Sequence, residues 1–169
     1  MKEYKSPVAA LLWAITMSGF GQYYNGQYIF GTVLFIAEVL INGLSGINAS
    51  IILSFQADIK SHNVFNDQWG LFYPSAYIFG IWQAYNKAIV INYHQDGEDP
   101  PRETYLTGFF FGYVIGMNLG VYWLPLSKIP YLKFISSPIV DGLIIGLIIA
   151  LTGHLIERYN KKRAVRKVS

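Results

Sequence analysis

The chain of 169 residues contains no cysteine, which excludes disulfides and thiolate chemistry. Charge is scarce as well: 14% of residues are Asp, Glu, Lys or Arg, against about 25% in an ordinary soluble domain. The scarcity is organised, because Ser6 to Ala37, Val39 to Ala57 and Thr104 to Ser127 carry no formal charge at all. Roughly 20 apolar residues of helix cross a bilayer's hydrocarbon, so these runs point to an integral membrane protein. Also missing are a Ser/His/Asp arrangement with a supporting motif, a phosphate-cradling loop and paired carboxylates in a catalytic setting. No enzyme and no cofactor are expected.

What is present is 53% hydrophobic and 17% aromatic, with a net charge of +3. The positive charge gathers at Arg158, Lys161, Lys162, Arg163, Arg166 and Lys167, directly after an apolar segment. That placement reads as the cytoplasmic anchor of a last helix, able to attract anionic headgroups, and nucleic acid is not an expected partner. Lys2 and Lys5 before apolar residues imitate a signal peptide, but no small-x-small cleavage site follows, so the N-terminus is read as retained.

Val8 to Phe20 is apolar over thirteen residues, a length that suits a re-entrant or interfacial segment. Tyr28 to about Phe55 is long enough to cross, with Gly43, Ser45, Gly46 and Asn48 expected to kink or end the helix early. Gln56 to Trp69 is polar. Leu71 to Tyr93 is the next span, followed by the hydrophilic loop His94 to Glu103, which Pro100 and Pro101 keep from being helical. Tyr105 to Leu124 and Pro138 to Glu157 span last, joined by the proline-punctuated connection Pro125 to Ser137. The expected fold class is all-α: a polytopic integral membrane helical bundle of four crossing helices plus a short N-terminal hairpin segment. Five crossing helices is the alternative. With four, ten Lys and Arg residues lie on the cytoplasmic side with both termini, against three outside. With five the balance falls to eight against five, so the four-span arrangement fits the positive-inside bias better. Residues 1–169 read as one membrane domain, in which a hairpin module (6–95) precedes a glycine-rich helix pair (96–157) and a basic tail (158–169).

Between the first two apolar runs stands "GFGQYYNGQYIFG", Gly19 to Gly31. In lipid every backbone N–H and C=O needs a partner within the protein, so such a reversal belongs at the surface or against other protein. The hairpin turn is assigned to Gly19, Gly21, Gln22, Tyr24, Asn25 and Gly26. Its glycines supply positive φ, Asn25-Gly26 is a strong turn dipeptide, and Tyr23, Tyr24 and Tyr28 can set rings in oil and hydroxyls in water. Taken with "IWQAYNKA" at Ile81 to Ala88, this stretch resembles small bacterial membrane proteins related to the TM2-domain family. Those proteins pair a G-x-G-Q-x-Y-x-G turn with a later aromatic/Asp-Ala-Tyr motif. The resemblance covers roughly residues 6 to 95. Ser18-Gly19 stands where Pro-Gly is usual, and Gln83 where an acidic residue is common. It implies a hairpin module in a bacterial plasma membrane, with no generally established catalytic activity.

Two further constellations stand out. Gly108, Gly112, Gly116 and Gly120 recur every fourth residue and form one smooth helix stripe, which Gly142 and Gly146 match on the last helix. The stripe suits either an intrachain helix pair or contact with a second copy or another membrane protein. Glu38 lies within an apolar run with Asn42 one turn later, and Lys87, beside Gln83 and Asn86, is its expected partner. This polar set reads either as a register-fixing pair or as part of an ion or proton path. His94, Asp96, Glu98 and Asp99 form a solvated loop without a recognised metal pattern, and no metal site is assigned. His154 and Glu157 read as boundary residues, and Asp141 as lying near the outer interface or capping the last helix. The expected function is a small non-enzymatic membrane protein acting through helix–helix association with itself or a membrane partner. The alternative is a minor transporter or channel with a polar path around Glu38.

Overall fold

A computed structural model describes residues 3–55, 66–102, 104–124, 126 and 137–168. Most of the polar segment from Gln56, most of the connection from Pro125, Lys2, and the side chains of Arg166 and Lys167 lie outside the described residues. Among the described residues the regular structure is helical and no strand occurs. The chain divides into two compact units, Met1–Leu40 with Ser75–Tyr105 and Ile41–Pro74 with Leu106–Ser169.

The first unit is built around a short hairpin. Helix α1, Pro7–Thr16, starts where the Ser6 hydroxyl accepts the Ala9 N–H and Pro7 needs no partner for its missing one. It stops at Met17, whose extended backbone (φ −161°, ψ 135°) turns the chain away. Helix α2, Phe20–Tyr24, follows one residue after Gly19 at φ +93° and ends before Gly26 at φ +77°. The long helix α3, Tyr28–Ser45, then begins. The crossings are too close for side chains. A Cβ on Gly21 would fall 2.4 Å from the Ala10 carbonyl oxygen and 2.7 Å from the Ala84 Cβ, so α1, α2 and α6 (Phe72–Asp96) meet at this one residue. Gly19 likewise sits against the Gly31 carbonyl, 2.2 Å from where a Cβ would stand. The ring pairs Phe20–Phe35, stacked with centroids 6.2 Å apart, and Phe30–Phe79, edge to face at 6.4 Å, pack around this crossing.

The second unit holds the end of α3 and α4 (Ile47–Phe55), which Gly46 at φ +65° separates. The chain from Tyr28 thus breaks where Gly43 to Asn48 foretold. The unit also contains the single turn α5 (Asp67–Gly70), α7 (Thr107–Tyr122) and α8 (Pro138–Val168). Helices α7 and α8 pack along their length. Ser137 caps α8, its hydroxyl accepting the Val140 N–H at 3.3 Å.

Among the described residues, two helices are long and apolar enough to cross a membrane, Tyr28–Ser45 and Ile139–Arg163. Helix α7 has 16 residues and α1 has 10, both short of the roughly 20 that a perpendicular crossing takes. Helix α6 has the length, at 25 residues, but polar side chains such as Gln83, Asn86, Lys87 and Asn92 interrupt it. Two expected boundaries move. Helix α6 runs on through His94 to Asp96, and Gly97 at φ +76° ends it instead of the prolines. Helix α8 continues past Glu157 to Val168, because Lys, Arg and Ala are good helix formers and the basic tail simply extends it.

Candidate functional site

The site built from the sequence-selected residues is the hairpin and the polar side chains around it. Most of these groups turn out to serve the chain's own backbone. At the break between α1 and α2 the Ser18 N–H points into the interior, and Glu38 Oε2 accepts it at 2.6 Å. Glu38 is 8% exposed and Ser18 is 3% exposed, so the carboxylate supplies the acceptor that the reversal itself cannot. Lys87 is not its partner. The ion pairs among the described residues are Lys5–Glu3 and Lys161–Glu157, and Lys87 belongs to neither. The physical reason is that the chain reversal frees a backbone donor at Ser18, and the Glu38 carboxylate lies where it can accept that N–H. Asn42 bonds Asn48 at 3.2 Å across the α3–α4 break.

Gln22 is fully buried and anchors the hairpin to α6. Its Nε2 donates to the Gly80 carbonyl and to Gln83 Oε1, both at 2.8 Å, and Gln83 Nε2 passes the chain on to Gln27 Oε1 at 3.2 Å. One turn on, Asn25 Nδ2 donates to the Ala84 carbonyl at 2.8 Å. Gln22 and Asn25 therefore grip successive turns of α6 from successive turns of the hairpin. Tyr24 uses its hydroxyl to accept the Ser6 N–H at 3.0 Å, and the Tyr23 hydroxyl bonds Thr32 Oγ1 at 2.9 Å.

Two asparagines of α6 act as peptide mimics. The Asn86 amide accepts the Tyr105 N–H at 2.7 Å and donates to its carbonyl at 3.0 Å. Asn92 does the same with Lys5, at 2.7 Å and 2.8 Å, while the Tyr4 hydroxyl donates to Asp96. Sequence inspection assigned no role to Ser18, Gln27 or Asn92. Nothing local marks them, because their partners lie far along the chain: the Glu38 carboxylate for the Ser18 N–H, the Gln83 amide for Gln27, and the Lys5 backbone for Asn92. Lys5 also contacts Glu3 and stands over the Tyr24 ring, 5.4 Å from its centroid. Its hydrogen bond and charge hold the exposed Glu3 carboxyl below its ordinary pKa.

In the second unit the glycine stripe faces α8 of the same chain. A Cβ would fall 2.4 Å from the Gly153 carbonyl oxygen at Gly108 and 2.7 Å from that of Ile149 at Gly112. The corresponding distances are 2.7 Å to the Gly146 Cα at Gly116 and 2.4 Å to the Asp141 carbonyl oxygen at Gly120. Gly142 and Gly146 meet Val121 and Met117 of α7 in return, and Gly153 extends the stripe by a residue that sequence inspection left out. Each end of the pair carries an acid. Glu157 Oε2 accepts the Gly108 N–H at 2.8 Å in the first turn of α7, and Oε1 pairs with Lys161 at 2.9 Å. There a negative charge meets the positive end of the helix dipole. Asp141, 2% exposed, accepts the Leu126 N–H at 3.2 Å, so Ser137 caps α8 and Asp141 fixes the chain beyond α7. Among the described residues no three His, Cys, Asp or Glu side chains gather as metal ligands.

A shallow cleft of about 340 Å³ opens beside the hairpin, lined by Trp13, Phe20, Tyr23 and Tyr24. Neither Glu38 nor the α6 polar side chains line it. No known protein family, curated protein or solved structure matches this chain.

Proposed function

We propose that this is a small non-enzymatic integral membrane protein that acts through helix contact with itself or with another membrane protein. In this reading α3, α6, α7 and α8 cross a bacterial plasma membrane and the α1–α2 hairpin is re-entrant. Both termini and the loop after α6 face the cytoplasm, where ten of the thirteen Lys and Arg residues then lie. The observation that carries the reading is what remains uncovered. On α3, Ile29, Val33, Ile36 and Leu40 form an exposed stripe at helical spacing. On α8, Leu147, Leu151 and Leu155 form another. Apolar faces of that extent belong against lipid or another protein. The glycines of α7 are taken up by α8, so the contacting surface is one of these apolar faces. A TM2-like relationship is part of the proposal, supported by the structural work that Gly19, Gly21, Gln22 and Asn25 do in the hairpin.

Single cysteines introduced into this cysteine-free chain at Val33, Leu40, Leu151 and Leu155 test the reading by in-cell crosslinking. At least one face is expected to yield a discrete adduct, with a second copy or with another membrane protein. A monomer without adducts from any position contradicts it. One observation favours the polar-path alternative: a carboxylate buried within a candidate span. Under that alternative, Glu38→Gln abolishes proton or ion flux in liposomes. Under helix association, neither the wild type nor the variant conducts.

A further inference from the structure

We propose that the aromatic cleft beside the hairpin holds one acyl chain of an anionic phospholipid, with the lipid phosphate meeting Lys5. The inference rests on the membrane reading above and adds a specific lipid site to it. Four aromatic side chains line the cleft: Trp13, half exposed on α1, and Phe20, Tyr23 and Tyr24 on α2. Both tyrosine hydroxyls are engaged elsewhere, at Thr32 and at the Ser6 N–H, so the rings present their apolar bodies to the cleft. Such a wall asks nothing polar of its occupant, and a hydrocarbon chain meets that condition. The volume of about 340 Å³ lies near the lower end of ligand-sized cavities, suiting part of a chain and not a whole lipid.

Charge selects the headgroup. The Lys5 ammonium does not line the cleft, but it stands over the ring of Tyr24, a lining residue, 5.4 Å from its centroid. Its present counter-charge is Glu3, whose side chain is 77% exposed and held by no other described contact. A phosphate diester arriving with its chain in the cleft competes with Glu3 for that ammonium, and the carboxylate turns out into water. Lys5 is kept in place through its backbone, which Asn92 grips at both N–H and carbonyl. The backbone from which the Lys5 side chain extends is thus held independently of what that side chain binds.

The test uses the full chain in phosphatidylcholine vesicles containing about 10 mol% phosphatidylglycerol with brominated acyl chains, where one basic residue near the surface gives about fivefold enrichment of anionic lipid. Trp13 is the reporter, and subtracting the Trp13→Phe variant removes the other three tryptophans. Quenching of Trp13 is expected to match a local anionic fraction about fivefold above bulk. It should fall to bulk in Lys5→Gln and rise further in Glu3→Gln. Quenching that follows bulk composition in the wild type, or equal enrichment by brominated phosphatidylcholine, overturns the site while leaving the membrane reading intact. Failure of the protein to float with the vesicles overturns both.

Discussion

Adding one methyl group to the α7–α8 contact provides a sharp test of how that pair is held. In Gly116→Ala the new Cβ would stand 2.7 Å from the Gly146 Cα and 2.8 Å from the Ile145 carbonyl oxygen, where ordinary contact begins at 3.4 Å. Both neighbours are backbone, so relief requires the helices to part by about 0.7 Å, a gap that forfeits a quarter to a half of the local dispersion energy. Overpacking of this kind costs about 1–3 kcal/mol, while Gly to Ala in a helix returns about 1 kcal/mol. The expected net effect is a loss of about 0–2 kcal/mol. Gly43 is the control: it is helical and exposed, and a Cβ there meets nothing within 4 Å. Gly43→Ala should therefore be about 0.5–1 kcal/mol more stable than wild type. Reversible unfolding in mixed micelles, following helicity against the mole fraction of denaturing detergent, compares the two. If Gly116→Ala proves as stable as Gly43→Ala, the close backbone contact is refuted.

Three other substitutions probe the hairpin. Gln22→Leu removes the donor to Gly80 and Gln83, at an expected cost of about 1–3 kcal/mol. Amide exchange over residues 19–27 should accelerate, and unchanged protection would contradict the anchoring role. Glu38→Ala leaves the Ser18 N–H without this acceptor, whereas Glu38→Gln retains an oxygen to receive it. Alanine should thus be the more destabilising of the two in the same unfolding assay, and the reverse order would show that charge, not hydrogen bonding, is what Glu38 supplies. Asn92→Ala should speed exchange of the Lys5 amide and leave the Tyr105 amide, held by Asn86, unchanged.

Much of the helix layout was legible because apolar length and glycine position are local quantities. The thirteen-residue run Val8 to Phe20, interrupted by Gly19, cannot make a long helix, and Gly46 does divide the segment from Tyr28. The four-residue spacing of Gly108 to Gly120 placed these glycines on one face, although the sequence could not say which helix would lie against it. The partners of polar side chains were not legible. Placing Glu38 by its depth along a helix made Lys87 look suitable, but the need it meets arises from the extended backbone at Met17, which composition does not encode. Asn86 and Asn92 resemble ordinary polar interruptions of a span until the backbones of Tyr105 and Lys5 are brought beside them. Helix ends also escaped where the stopping signal was weak. The basic tail contains no helix breaker, and Gly97 rather than the Pro100-Pro101 pair ends α6.

Lipid as the medium of these helices is the claim on which the functional reading depends, and alkaline extraction of cell membranes tests it most directly. The full chain is expected to stay in the sedimented membranes after carbonate treatment and to enter solution only with detergent. Recovery of folded protein in the supernatant without detergent would contradict it.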